Sequence, residues 1–136
     1  MTQPTAAKTL SVTINRGASE AYDFLSVPVH FAKWASGLAA SLRNVDGQWW
    51  ADSPTGPVRI RFSAPNAFGI LDHWVILQPD ITVYVPLRVV TNGIGCELLL
   101  TLFRQPGMSD GQYESDAEWV LKDLQAAKRV LEEQCH

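Results

Sequence analysis

The sequence predicts an α+β fold in which an antiparallel meander is covered by one long C-terminal helix, and three observations carry that prediction. From Ser109 to about Glu133, Tyr113, Ala117, Val120, Leu124, Ala127 and Leu131 recur at alternating steps of four and three. That is the apolar stripe of a helix of roughly six or seven turns. From Leu38 to Arg104 the period changes to two, the mark of half-buried strands. Turn signals cut that region at Asp46-Gly47, Pro54-Thr55-Gly56-Pro57, Ala64-Pro65-Asn66, Gln78-Pro79-Asp80 and Asn92-Gly93, and hairpins are their simplest reading. A helix with one apolar stripe needs an apolar surface to lie on, and the strands supply it.

The 136 residues suffice for one domain with a sizeable core and are too few for two. Residues 1–8 read as a flexible tail and residues 9–136 as a single domain. In Thr9 to Asn15, Leu10, Val12 and Ile14 alternate with Thr9, Ser11 and Thr13, a half-buried strand that Gly17 ends. Ala21, Tyr22 and Leu25 give Ala18 to Ser26 helical spacing. Pro28 cannot continue that helix but suits the first turn of another, which carries Phe31 and Trp34 to about Ala35 and stops at Gly37. About six strands follow. Ser109 and Gln112 have the spacing of a capping box at the start of the long helix. Asp110, Glu114 and Asp116 crowd its N-terminal end, and Lys128 and Arg129 lie near its C-terminal end, as the macrodipole prefers. Glu118 and Lys122 form an i,i+4 pair on its wet side.

A two-residue turn at Asn92-Gly93 pairs Thr91 with Ile94. Counting outward, Val89 faces Cys96, Leu87 faces Leu98, Val85 faces Leu100 and Val83 faces Leu102, all on the buried side. Arg88 then faces Glu97, and Tyr84 faces Thr101, on the wet side. Arg88 is thus half of an exposed ion pair worth at most about 1 kcal/mol, a structural role rather than a catalytic one. Pro86 has no N–H, which places it at an edge or a bulge, and a bulge exchanges the faces beyond it.

In Phe68 to Leu77 both sides are mostly apolar, so periodicity leaves open which one is inside. Ile70, Asp72, Trp74 and Ile76 share one side; Leu71, His73, Val75 and Leu77 share the other. Trp74 and two isoleucines favour the first set as the inner one. Asp72 is then a carboxylate among apolar groups and needs a partner or a raised pKa. Arg59 and Arg61, in the preceding hairpin arm, are the natural partners. Such a pair fixes register; in a cavity, Asp72 becomes a polar anchor or proton carrier. His73 points to the opposite face, so geometry argues against a His73–Asp72 dyad.

Composition narrows the function. A formal charge of -3, with no Lys/Arg cluster longer than two, gives no footprint for nucleic acid or an anionic membrane. No apolar run approaches the roughly 20 residues of a membrane span. The polar N-terminus lacks a signal-peptide core, and Cys96 and Cys135 follow no pattern, which reads as free thiols in a reducing cytoplasm. His30, His73 and His136 lack ligand spacing, so neither a metal nor a cofactor is expected. There is no Gly-x-Ser-x-Gly elbow and no phosphate-cradling Gly-x-x-x-x-Gly-Lys. Five tryptophans in so short a chain call for a core, a pocket or an interface.

The order of elements combines with several segments: Ser11-Val12-Thr13-Ile14-Asn15, Ala21-Tyr22-Asp23-Phe24-Leu25, and Pro28 followed by Phe31 and Trp34. Two more are Phe68-Gly69-Ile70-Leu71-Asp72-His73-Trp74 and Pro106-Gly107-Met108-Ser109-Asp110. Together they resemble the START-like, or SRPBCC, superfamily, whose members include polyketide cyclases and dehydrases and chaperone-ATPase-activator homologues. The resemblance spans the chain after residue 8. It implies a helix-grip fold: a curved seven-stranded antiparallel sheet around the C-terminal helix, two short helices closing one end, and a deep apolar cavity between sheet and helix. It transfers no catalytic residue, because one fold hosts many functions.

Three functions follow as expectations. The first is a binding cup for a small hydrophobic or aromatic molecule, polyketide- or lipid-like, lined by Trp50, Trp74, Val85, Leu87, Leu100, Val120 and Leu124, with Asp72 and Arg59 or Arg61 orienting a polar group of the ligand. The second is a cyclase/dehydrase-type enzyme, with Asp72 at raised pKa, or Tyr84 or His73 if the faces are exchanged, as the acid or base. The third is an interaction module or homodimer subunit that uses Trp119, beside the apolar stripe.

Overall fold

The computed structural model describes residues 3–35, 41–54, 56–78 and 81–133. Strand β1 (Ala7–Ile14) leads into helix α1 (Ala18–Leu25), a 3₁₀ turn (Pro28–His30) and one turn of helix α2 (Phe31–Trp34). Strands β2 (Arg43–Val45), β3 (Gln48–Ser53), β4 (Gly56–Phe62), β5 (His73–Gln78), β6 (Ile81–Val85), β7 (Leu87–Asn92) and β8 (Gly95–Phe103) follow, and helix α3 (Asp110–Glu133) closes the chain. The expected helix stop at Gly37, the turn residues Thr55, Pro79 and Asp80, and Cys135 and His136 lie outside the described residues. The first strand begins at Ala7, earlier than Thr9, because Ala7 and Lys8 pair with Phe103 and Leu102.

The strands form two antiparallel sheets, β1-β8-β7 and β2-β3-β4-β5-β6, instead of one seven-stranded sheet. Pro86 is the cause. It interrupts what the period-two pattern presented as one strand, so β6 pairs with β5 and β7 pairs with β8. A proline cannot donate to a ladder. Its carbonyl still accepts from Thr101 N–H at 3.1 Å, and the segment before β5 is stitched to β7 by Leu71 N–H to Leu87 O at 2.8 Å and Val89 N–H to Gly69 O at 2.9 Å. Gly69 is required there: its φ is +71°, and a Cβ would lie 2.3 Å from Val89 O.

The β7–β8 turn centres on Gly93-Ile94, with Asn92 opposite Gly95, so Val89 faces Leu98 and Leu87 faces Leu100. On β7 each expected partner is displaced by two residues, which preserves the faces. Val85, Tyr84 and Val83, expected opposite Leu100, Thr101 and Leu102, instead pair with His73, Trp74 and Val75 of β5, because the chain changes sheets at Pro86. Leu87, Val89, Cys96, Leu98 and Leu100 are all buried. The expected Arg88–Glu97 pair does not form: Arg88 lies opposite Leu99, and Glu97 accepts from Asn92 Nδ2 at 3.1 Å.

Helix α3 packs on β1 and β8 and against α2. Tyr113, Ala117, Leu124, Ala127 and Leu131 of its stripe are buried and Val120 is partly so. Ser109 caps it through Gln112 N–H at 3.1 Å, while the Gln112 side chain turns to Asp116 rather than completing the box. Lys122 lies over the Trp119 ring instead of pairing with Glu118, and Trp119 itself is half exposed. At the C-terminal end Lys128 bonds to Thr13 O and Glu132, anchoring the helix to the end of β1. A smaller cluster, Ala51, Val58 and Ile60 with Leu42, Phe62 and Val75, sits on the inner face of the five-stranded sheet.

Candidate ligand cavity

A cavity of about 180 Å³ lies where α1, the 3₁₀ turn and α2 meet β4, β5 and the start of β7. Its walls include Tyr22, Phe31, Trp34, Phe62, Leu71, His73 and Leu87. The ring of Phe31 sits at the centre of this wall, edge-on to Trp34 at 5.1 Å, to Phe62 at 5.9 Å and to His73 at 5.4 Å. Pro28 sets this up by ending α1 and starting the turn that carries Phe31 and Trp34 inward. The Tyr22 hydroxyl accepts from Asn66 N–H at 2.9 Å, fixing its ring beside the loop before β5. No wall residue among those described carries a formal charge. A larger groove of about 650 Å³ between α1 and the Asn66–Gly69 loop is more open and more polar in its lining.

The faces of β5 follow from its partners. Phe62 is opposite His73 and Ile60 opposite Val75, so Leu71, His73 and Val75 point inward; Arg61 is opposite Trp74 and Arg59 opposite Ile76, so Asp72, Trp74 and Ile76 point outward. This reverses the expected assignment. Trp74 is satisfied on the outer face, with Arg61 4.7 Å above its ring and Tyr84 stacked at 5.4 Å. The apolar side chains on both sides had concealed that.

His73 is 6% exposed. Desolvation pushes its pKa down to about 4, against weaker opposing effects of a hydrogen bond to the Leu71 backbone and the charge of Asp72. The imidazole in the cavity wall is therefore neutral at pH 7.

Asp72 is 4% exposed yet keeps its charge. It accepts from Tyr84 Oη at 2.6 Å, Leu87 N–H at 3.0 Å, and Arg88 Nε and Nη2 at 2.8 Å each. Burial alone would push the carboxyl up, but the bonds from Arg88, Tyr84 and Leu87 outweigh it and hold the pKa below the ordinary value. The partner is Arg88 and not Arg59 or Arg61, because the stitch between residues 69–71 and β7 brings Arg88 opposite Ile70. The same contact raises the pKa of Tyr84. A carboxylate with this many donors is a structural clamp between β5, β6 and β7, and the raised pKa required of a proton donor is absent.

Of the residues expected to line a cup, Leu87 is in this wall. Leu100 and Leu124 are buried in the core under α3, with Val85 and Val120 packed against it. Trp50 is opposite Arg59 on the outer face, and its neighbour Trp49 takes the inner one, edge-on to Phe62. Arg59 reaches Gln48 at 3.4 Å, and Arg59 and Arg61 border a separate hollow of about 320 Å³. Sequence reasoning missed Phe31, Trp34, Phe62 and Leu71 as wall residues. Phe31 and Trp34, spaced three apart after Pro28, were the available signal. Among the described residues no cluster of three or more His, Cys, Asp or Glu could hold a metal, and no helix is long and apolar enough to cross a membrane.

No protein-family model and no curated protein matches the chain. Solved structures do. Ara h 8.0201 superposes with a TM-score of 0.64 at 11% identity, over 96% of this chain and 99% of that one. The Aha1 dimer from Colwellia psychrerythraea gives 0.69 at 12% identity, over 93% and 96%. DynU16, described as a protein in the dynemicin biosynthetic locus, gives 0.69 at 15% identity, over 95% of this chain and 48% of its own. The fold is of the helix-grip type. At these identities the likeness reaches no further than the fold.

Proposed function

We propose that the protein binds a small, uncharged, mostly apolar molecule of the single-ring aromatic class in the cavity around Phe31. One observation carries the reading: a pocket walled by aromatic and aliphatic side chains, with no charged group among its described walls and one buried neutral imidazole. Apolar pockets with a few polar groups are the default ligand site. An apolar cavity of about 150 Å³ holds a benzene ring, so 180 Å³ suits one ring with a small substituent. A lipid or polycyclic polyketide falls in the class of ligands that fill about 300 Å³ or more, and would require the walls to part.

The cyclase/dehydrase reading now rests on His73, the titratable group that the exchanged faces bring into the cavity, and on the fold shared with a protein of the dynemicin locus. A base with a pKa of about 4 takes up protons weakly at neutral pH, so binding is the stronger reading.

Isothermal titration with toluene, ethylbenzene and indole, compared with decane and palmitate, tests it. Saturable binding of the single-ring compounds, abolished by the cavity-filling Leu71→Phe in a protein of unchanged circular dichroism, is expected. Binding of the long chains alone, or ring binding unaffected by Leu71→Phe, contradicts it.

A further inference from the structure

We propose that the outer face of the five-stranded sheet docks an acidic peptide segment of another protein, whose carboxylates pair with Arg59 and Arg61. This face is the far side of β4 and β5 from the cavity, and the proposal stands apart from the cavity's role. Cross-strand register sets one row of side chains there, with Arg61 opposite Trp74 and Trp74 opposite Tyr84. Arg61 lies 4.7 Å above the Trp74 ring. Trp74 and Tyr84 stack at 5.4 Å with their planes 20° apart, and Tyr84 stacks on Phe103 at 6.2 Å and 21°. Neighbouring strands are about 4.8 Å apart, so rings stacked across them at this spacing stand on edge. The helices pack on β1, β7 and β8. The row stays open to solvent: Tyr84 is 37% exposed, and Arg61 is exposed.

Charge names the partner. On this face Arg43 pairs with Asp52 at 3.0 Å and Arg88 with Asp72 at 2.8 Å. Arg59 and Arg61 meet no carboxylate among the described residues. Arg59 reaches the Gln48 side chain at 3.4 Å, and Arg61 is held by the Trp74 ring, a contact that uses none of its N–H donors. On a chain of net charge -3, two unbalanced cations single out this face for an anionic partner. Two residues apart on one strand, they stand about 7 Å apart, the spacing of positions i and i+2 in an extended peptide. A segment with an acid at every second position therefore offers one carboxylate to each guanidinium. A hollow of about 320 Å³, bordered by both arginines, leaves room beside them. Nucleotide bases would need free ring faces. Here Arg61, Phe103 and the two rings themselves cover the faces of Trp74 and Tyr84, and ring edges carry the positive end of the quadrupole. Trp, Tyr and Arg are also the residues richest in protein-interface hot spots.

The test is a fluorescence-anisotropy titration of the full chain at pH 7 and low salt with three labelled probes. They are an alternating Glu-Ser peptide, the same peptide with Lys in place of Glu, and oligothymidylate. The Glu-Ser peptide should bind, and its affinity should fall several-fold when NaCl is raised to about 0.2 M. Arg59→Gln and Arg61→Gln should each weaken it about fivefold. Arg129→Gln removes the same charge from α3 and should change it less than about twofold. Should a variant fail to fold, the assigned indole signals of the unmodified protein decide: the peptide moves that of Trp74 and leaves that of the buried Trp34 in place. Equal or tighter binding of the Lys peptide or of oligothymidylate overturns the proposal. So does an equal loss in Arg129→Gln, an unmoved Trp74 signal, or no binding of the Glu-Ser peptide up to about 1 mM.

Discussion

Asp72 and His73 are adjacent in sequence and almost equally buried, yet they meet the same problem in opposite ways. Burial disfavours the charged form of each. Outside the sheet, three donor groups converge on Asp72 and the charge is kept; inside, no comparable set of partners meets His73 and the charge is given up. The difference shows that a buried ionisable group is not by itself a catalytic signal. What decides is whether the fold brings partners to it, and on β5 the partners come from β6 and β7 to one face only.

The largest test of this contrast is Asp72→Ala. It leaves Arg88 and the Leu87 N–H without their acceptor, and destabilisation by about 3 kcal/mol is expected in urea unfolding, toward the low end for a broken buried pair because Arg88 is partly exposed. Ligand binding should survive in the folded fraction.

On the inner face the test is pH. The folded pKa of His73 lies below its unfolded value of about 6.5. The unfolded chain therefore binds the extra proton first, and this contribution is fully present above pH 6.5 and lost as pH falls to about 4. The loss amounts to up to about 3 kcal/mol. His73→Phe should remove that part of the slope, read as the difference between the two urea-unfolding curves from pH 7 to 4. Asp72 acts in the same direction at lower pH, since its pKa is held below 3.8.

A smaller effect is expected from Gly69→Ala. It strains a positive φ and pushes on Val89 O, at a cost of about 1–3 kcal/mol, and should loosen the stitch that delivers Arg88 to Asp72. Hydrogen exchange at Val89 N–H reports it directly. Smallest is Tyr84→Phe, which removes one of several bonds to Asp72 and should cost about 1 kcal/mol in thermal or urea unfolding.

Much of the fold was legible in the sequence because it is written in local periods. The stripe from Tyr113 to Leu131 gave α3, and alternation gave the strands. The β7–β8 faces came out correctly despite a displaced register, since a shift of two residues conserves parity. The proline at position 86 marked the break between sheets: it divides one expected strand into β6 and β7, each the edge strand of its sheet. The site was less legible. Both sides of Phe68 to Leu77 are apolar, so periodicity could not choose between them, and the preference for Trp74 as an inward group ignored that Arg61 and Tyr84 could cover it outside. The Asp72 partner came from Arg88, sixteen residues on, through a backbone stitch that no local pattern announces.

The most direct measurement is an NMR titration of the His73 imidazole, with and without toluene. The account predicts a ring that stays neutral down to about pH 4 and whose resonances move when the ligand is added. A His73 that titrates near 6.5 and ignores every single-ring compound would place it in solvent, and would contradict both the inward face of β5 and the cavity built on it.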